Sequence, residues 1–354
     1  MLFLLHFGLL AKANMASPIR EGTKTSSAIS SKDIDILSEK IFIKIDPNFK
    51  TARFIVEYNI QSNLSGAQIP LLFYAENFKD SFYVWLNNKK INIQNVPHTY
   101  YENSLFNGFT KPLDNEKITI YWENNAGNVY KLNDLKYFEA DLEKGVQKVR
   151  VEYTANVWID LSGLIKKYSF LYSLSPAKYW KSFGSLEIIV EQEGQVKQFK
   201  TNLGLPNEET LKSLNTWTFN KIPNEYFEIS YIPKPNNLAS ILMKIEPFGL
   251  AMLASILLAI AHFVLTITFR RKNIQKKYSL PVILGSILVP FFSLLIYNYS
   301  YVVIDKVIGD DASQYHGYVF LSYIFYPIML IIYWIIFWQI DRQYKRRLFI
   351  GKRQ

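Results

Sequence analysis

The hydrophobic rhythm of the chain changes two thirds of the way along. Up to about residue 232 apolar positions alternate with polar ones; beyond it they run together. In "RFIVEYNI" Phe54, Val56, Tyr58 and Ile60 fall on one side and Arg53, Glu57 and Asn59 on the other, the period of two that marks a half-buried strand. The preceding "IFIKI" places Ile41, Ile43 and Ile45 on one face, and "DPNFK" joins the two runs as a turn, so a hairpin is predicted.

Similar runs follow: "SFYVWL", then Asn87 and Asn88 as a tight turn into "KINI"; "KITIYWE"; "QKVRVEYTANVWI"; "YSFLYSL"; "SLEIIVEQE", with Gly194 before "QVKQFKTN"; "TWTFN"; and "YFEISYI". Short strands punctuated by Asn, Gly and Pro predict a mainly β region of antiparallel sandwich type. The stretch 124–145, "NNAGNVYKLNDLKYFEADLEKG", breaks the alternation. It divides the region into 34–125 and 146–232, read as two β-sandwiches or as one continuous domain.

Three apolar runs occupy the last third: Phe248 to Phe269, Leu280 to Tyr297 and Tyr318 to Ile340. None contains Asp, Glu, Lys or Arg, and each approaches the roughly 20 residues that a helix needs to cross a hydrocarbon core. A three-helix transmembrane bundle at 248–269, 280–297 and 318–340 is therefore predicted. "IPKPNNLAS", residues 232–240, reads as a short connector, and Pro247 after Glu246 reads as a helix start, since proline lacks only a donor that would be unpaired there.

Charge then sets the orientation. The net charge is +10, and two segments account for all of it. One holds Arg270, Arg271, Lys272, Lys276 and Lys277; the other is the basic tail 341–354, with Arg342, Lys345, Arg346 and Arg347. The loop between the second and third runs carries Asp305, Asp310 and Asp311 against Lys306. Short cationic loops stay in the cytoplasm, so both basic segments are expected inside and the strand-rich region outside. Charge placed this way is an orientation signal with a secondary attraction to anionic lipid, not a nucleic-acid footprint.

An exported region needs a signal. Residues 1–13, with an apolar stretch from Leu2 to Leu10 and the A-x-A pattern at Ala11–Ala13, read as a signal peptide, although no basic residues precede it. Residues 14–33, rich in Ser and Thr without a period, read as a flexible leader. The chain has no cysteine, so the exported region must rely on its core rather than on disulfides. An abundance of Lys, Asn, Ile and Tyr suits an AT-rich bacterial genome.

Catalytic signatures are sparse. The four histidines, His6, His98, His262 and His316, have no metal-ligand spacing, and no P-loop, G-x-S-x-G or dinucleotide fingerprint is present. No metal or cofactor is expected. Ser175-Pro-Ala-Lys178 matches S-x-x-K without its partner motifs, and Glu139, Asp141 and Glu143 are expected as solvated carboxylates of a loop. "KYWKSFG" is the candidate binding segment: Tyr179, Trp180 and Phe183 beside Lys178 and Lys181 combine contact area with charge. The opposing expectation, favoured here, is that Trp180 and Phe183 fill the core at a strand entry.

Within the apolar runs His262 is the titratable residue, expected neutral and hydrogen-bonded to a neighbouring helix. Ser255, Thr266, Thr268, Ser286 and Ser293 suit helix association, and Tyr315, Tyr318, Tyr333, Trp334 and Trp338 suit interfacial belts. The expected protein is a multi-pass component of a bacterial inner membrane whose ectodomain recognises a protein or glycan. Its partners would be the lipid bilayer and another membrane or envelope protein, with no nucleic acid. An accessory subunit of a transport or secretion complex, and an envelope hydrolase with an unrecognised site, are the alternatives.

Overall fold

The computed structural model describes residues 20–351 except 22–25, 30–33, 63–66, 76–77, 96–109, 122–126, 133–134, 175–180, 195–197 and 225. It separates into a β-unit, Arg20–Asp160 with Lys167–Ile232, and a helical unit that joins Leu161–Lys166 to the chain from Pro233 onward. A β domain followed by three apolar helices is thus the architecture of the chain. The proposed signal peptide, 1–13, lies outside the described residues. Within 14–33, read as a leader, Arg20–Glu21 and Ser26–Ile29 are short strands.

The β-unit is organised by a seven-stranded sheet. Its strands run, from edge to edge, Leu214–Phe219, Ser182–Gln192, Ile34–Ile45, Thr51–Ser62, Gly145–Asn156, Phe78–Leu86 and Lys89–Ile91. The expected hairpin is its centre: Ile43 pairs with Phe54 and Ile41 with Val56, and all four side chains are buried. The "DPNFK" turn is held by the Asp46 carboxylate, which accepts from the backbone of Asn48 at 2.7 Å and of Lys50 at 2.9 Å. Asn87 and Asn88 form the tight turn between the last two strands, with φ of 49° and 69°, a region asparagine tolerates better than most residues.

One expectation is corrected here: the sheet is mixed. Ser182–Gln192 runs parallel to Ile34–Ile45 while its other neighbour is antiparallel. The alternation of a half-buried strand is the same in either direction, so the sequence pattern carries no information on this point. A second correction concerns 124–145, which contains strands Gly127–Lys131 and Leu135–Leu142. Its buried Leu135, Phe138 and Leu142 are spaced three and four apart, so no period of two was visible. Glu139 and Asp141 therefore sit in a strand, paired with Pro70 and Gln68, and not in a loop.

A core forms where the inner face of the large sheet meets side chains from two smaller sheets. Phe54, Val151 and Tyr153 pack in one cluster with Phe170, Tyr172 and Ile229 of the five-stranded sheet and with Phe73 and Phe138 of the four-stranded sheet. Burial of this many large apolar side chains is what holds a cysteine-free unit together.

The helical unit contains three helices long and apolar enough to cross a membrane, all longer than the apolar runs predicted. The first, Asn237–Lys272, starts inside the supposed connector, where the Asn236 side chain accepts from the Ala239 amide at 2.8 Å. It breaks at Glu246, with φ 61° and ψ 161°, and restarts at Pro247, whose ring disfavours helical geometry in the residue before it. The second is Leu280–Ile308. The third enters through a 3₁₀ segment, Val319–Phe325, before the α-helix Tyr326–Gly351, which carries the basic tail. Most of their apolar side chains face outward; in the most apolar window of the third none is buried.

Candidate functional site

The two cationic segments meet at one end of the helical unit. Arg270, 2% exposed, gives its guanidinium fork to Asp341, Nε to Oδ1 and Nη2 to Oδ2, both at 2.6 Å. Its Nη1 donates to the Lys276 carbonyl at 2.8 Å, and so does the Lys345 ammonium at 2.8 Å. Arg271 Nε donates to the Tyr344 hydroxyl at 2.8 Å. Arg270, expected as an orienting charge, is thus a buried link between the first and third helices. A bidentate guanidinium–carboxylate pair suits this position because it satisfies both buried charges in one fixed geometry. Arg271, Lys272, Lys276, Lys277, Arg342, Arg346 and Arg347 remain exposed.

His262 is buried between all three helices. Its Nε2 lies 2.9 Å from the Pro281 carbonyl of the second helix and its Nδ1 lies 3.0 Å from the Tyr333 hydroxyl of the third. A carbonyl only accepts, so Nε2 carries a proton toward Pro281, and the Tyr333 hydroxyl lies within hydrogen-bond distance of Nδ1, so both ring nitrogens are engaged. Phe337 stacks on it with ring centroids 4.1 Å apart. Gly285 makes room for the ring, since a Cβ there would lie 2.2 Å from Nε2. Tyr333 accordingly faces the helix contact instead of an interfacial belt, whereas Trp334 and Trp338 are exposed. Of the hydroxyls expected between helices, three bond their own backbones, Ser255 to Ala251, Thr268 to Val264 and Ser293 to Val289, while those of Thr266 and Ser286 are buried without a hydrogen-bond partner among the described residues. The cross-element amide is Asn298, whose Nδ2 donates to Ser322 Oγ at 2.9 Å.

At the opposite end the acidic loop is fastened by a segment inserted between two strands of the β-unit. Ile165 and Ala312 form an antiparallel bridge, the Lys166 amide donates to the Asp311 carbonyl at 2.9 Å and the Ser313 amide donates to the Leu164 carbonyl at 3.1 Å. His316 Nε2 contacts Asp305 Oδ2 at 2.6 Å on the same side.

In "KYWKSFG" the described residues are occupied structurally. Lys178, Tyr179 and Trp180 lie outside them, as do Ser175 and Pro176. Lys181 pairs with Asp35 at 3.3 Å, and Ser182 Oγ donates to the same carboxylate at 2.6 Å, which holds Asp35 below its usual range. Phe183 is half-buried against the core. Gly184 passes so close to the neighbouring strand that a Cβ would sit 2.0 Å from the Leu37 carbonyl oxygen.

Two groupings were not anticipated. Glu39 is 3% exposed in the β-unit core, where it accepts from the Tyr172 hydroxyl at 2.9 Å; the Tyr58 and Tyr172 hydroxyls are 2.7 Å apart. Burial pushes its carboxyl up to about 7, against the opposing effect of the tyrosine hydrogen bonds. Its phase was a usable signal, since Glu39 is in step with Ile41, Ile43 and Ile45. On the outer face of the large sheet Tyr83 and Trp85 lie 5.8 Å apart, with the Lys90 ammonium 4.2 Å from the first ring and the Arg150 guanidinium 5.2 Å from the second. Among the described residues no group of three His, Cys, Asp or Glu is placed to hold a metal.

No family model matches the chain, and no curated protein sequence does either. Among solved structures, native yeast LTA4 hydrolase is similar at 9% identity and a TM-score of 0.30, covering 56% of this chain and 29% of that one. The M1 zinc metallopeptidase of Deinococcus radiodurans is similar at 10% identity and a TM-score of 0.29, covering 57% and 43%. The chain spans less than half the length of either, and a likeness this faint carries no argument about chemistry.

Proposed function

We propose that this chain is a membrane-anchored component of a bacterial cell envelope. Its β-sandwich region is presented outside the cytoplasm to bind a protein or glycan, and its three helices form a transmembrane bundle that docks other membrane subunits. The observation that carries the reading is the separation of charge along the helical unit. Both cation-rich segments converge at the Arg270–Asp341 end, and the turn holding Asp310 and Asp311 follows the C-terminal end of the second helix, whose N-terminal end at Leu280 adjoins the first cationic segment. Such asymmetry orients a multi-pass protein with its basic end inside. The binding role is supported by Tyr83 and Trp85 with their flanking cations, the side-chain types that dominate interaction hot spots.

The absence of cysteine makes the orientation straightforward to test. In intact spheroplasts an impermeant thiol reagent should label Asp310→Cys and spare Ile274→Cys; the reverse pattern overturns the topology. Crosslinking in native membranes should then capture a partner whose yield falls with Trp85→Ala, and an unchanged yield removes this face from the binding role.

A further inference from the structure

The two basic segments, about 70 residues apart in sequence, form one surface after folding. One cation is consumed internally, because Arg270 is neutralised by Asp341. Among the described residues no carboxylate pairs with Arg271, Lys276, Arg342 or Lys345. Lys345 and Arg270 donate to the same Lys276 carbonyl, and Arg271 reaches Tyr344, so the turn after the first helix lies alongside the end of the third. On that third helix Trp338, Arg342, Lys345 and Phe349 follow at spacings of four, three and four, which makes one stripe on its surface. Arg342 lies 5.5 Å from the Trp338 ring and Lys345 lies 6.0 Å from that of Phe349, and both rings are exposed.

Resting on the reading that the helices cross a bilayer, we infer that this surface is a binding site for anionic phospholipid headgroups. The lipid phosphate is held by Arg271, Arg342 and Lys345, and Trp338 lies against the start of an acyl chain. A guanidinium fork matches two phosphate oxygens, and tryptophan suits the level where headgroups meet hydrocarbon. Charge selects the lipid. A zwitterionic headgroup brings its own cation to a surface already rich in them, whereas an anionic one leaves net negative charge to meet cations that no carboxylate among the described residues neutralises. Each cation near an anionic surface contributes about a fivefold preference.

The full chain, reconstituted in nanodiscs of phosphatidylcholine with a minor fraction of phosphatidylglycerol and then extracted gently, should retain phosphatidylglycerol above its bulk share by native mass spectrometry. The triple variant Arg271→Gln, Arg342→Gln, Lys345→Gln should lose that enrichment by about tenfold or more. The charge-keeping Arg271→Lys, Arg342→Lys pair should retain most of it. Enrichment that survives neutralisation overturns the site. So does wild-type enrichment that is identical at low and high salt, a readout that needs no variant at all. Inorganic phosphate that displaces the lipid at comparable concentration assigns the surface to free phosphate and overturns the lipid assignment. A chain that fails to enter nanodiscs would instead refute the membrane reading, a result distinct from entry without enrichment.

Discussion

The Tyr172 hydroxyl donates to the Glu39 carboxyl at 2.9 Å in the centre of the β-unit, joining the five-stranded sheet to the seven-stranded one through a group that titrates. Burial raises that carboxyl from an ordinary 4.5 to about 7, so the folded chain keeps a proton that the unfolded chain releases. The contribution is present in full below about pH 4.5 and is lost as pH rises through 7. The loss corresponds to about 3 kcal/mol. Melting of the detergent-solubilised protein between pH 5 and 8 should therefore show wild type weakening relative to Glu39→Gln. Parallel pH profiles for the two would remove Glu39 from the account.

Asp341 compensates a guanidinium that has no access to water. Asp341→Ala leaves that charge buried and unpaired, and should cost about 3–5 kcal/mol of helical-unit stability. Replacing both partners by apolar residues of similar volume, Arg270→Met with Asp341→Leu, should recover most of the loss. Comparing thermal helix loss in micelles for the single and double variants separates this from a plain surface ion pair, for which both changes would be nearly silent.

Gly184 is required by close approach and not by a turn. With the Leu37 carbonyl where a Cβ would stand, Gly184→Ala must push apart the parallel pair at the point where Phe183 faces Ile36 and Ser185 faces Ser38. The expected cost is about 3 kcal/mol or more, since neither backbone has room to yield. Chemical denaturation followed by tryptophan fluorescence reports it. A variant as stable as wild type would mean that the strands separate freely here.

Much of the architecture could be read from periodicity. Ile41, Ile43 and Ile45 against Phe54, Val56 and Tyr58 specified the central hairpin because burial on one face imposes a period of two. The three apolar runs were equally plain, although their polar and charged flanks concealed another turn or more of helix at the ends. Periodicity does not encode which distant strand lies alongside, so the parallel pairing of Ser182–Gln192 with Ile34–Ile45 was invisible. The same limit hid Arg270, whose role depends on an aspartate 71 residues away. Glu39 is in step with Ile41, Ile43 and Ile45, but the register shift between Ile36 and Ser38 puts both Ile36 and Glu39 inward and ends the alternation there, so an acid at the margin of the pattern read as its polar boundary.

The segment 161–166 separates what the β-unit does alone from what it does in the whole chain. Its neighbours on both sides are strands of the β-unit, Trp158–Asp160 and Lys167–Ser173, yet its own backbone bonds run to residues 311–313. The β-unit core contains none of the helical residues, so a fragment of residues 20–232 should be soluble, show β-type circular dichroism and unfold cooperatively. In that fragment the Lys166 amide has lost its Asp311 acceptor and should exchange with solvent orders of magnitude faster than in the full chain. Amides inside the central strands, Val56 and Val151 among them, should keep their protection in both. Hydrogen exchange read by mass spectrometry on the two proteins distinguishes the outcomes. Uniform loss of protection across the fragment would show that the β-unit depends on the helices for its fold, whereas unchanged protection at Lys166 would show that the 161–166 segment is held by the β-unit itself.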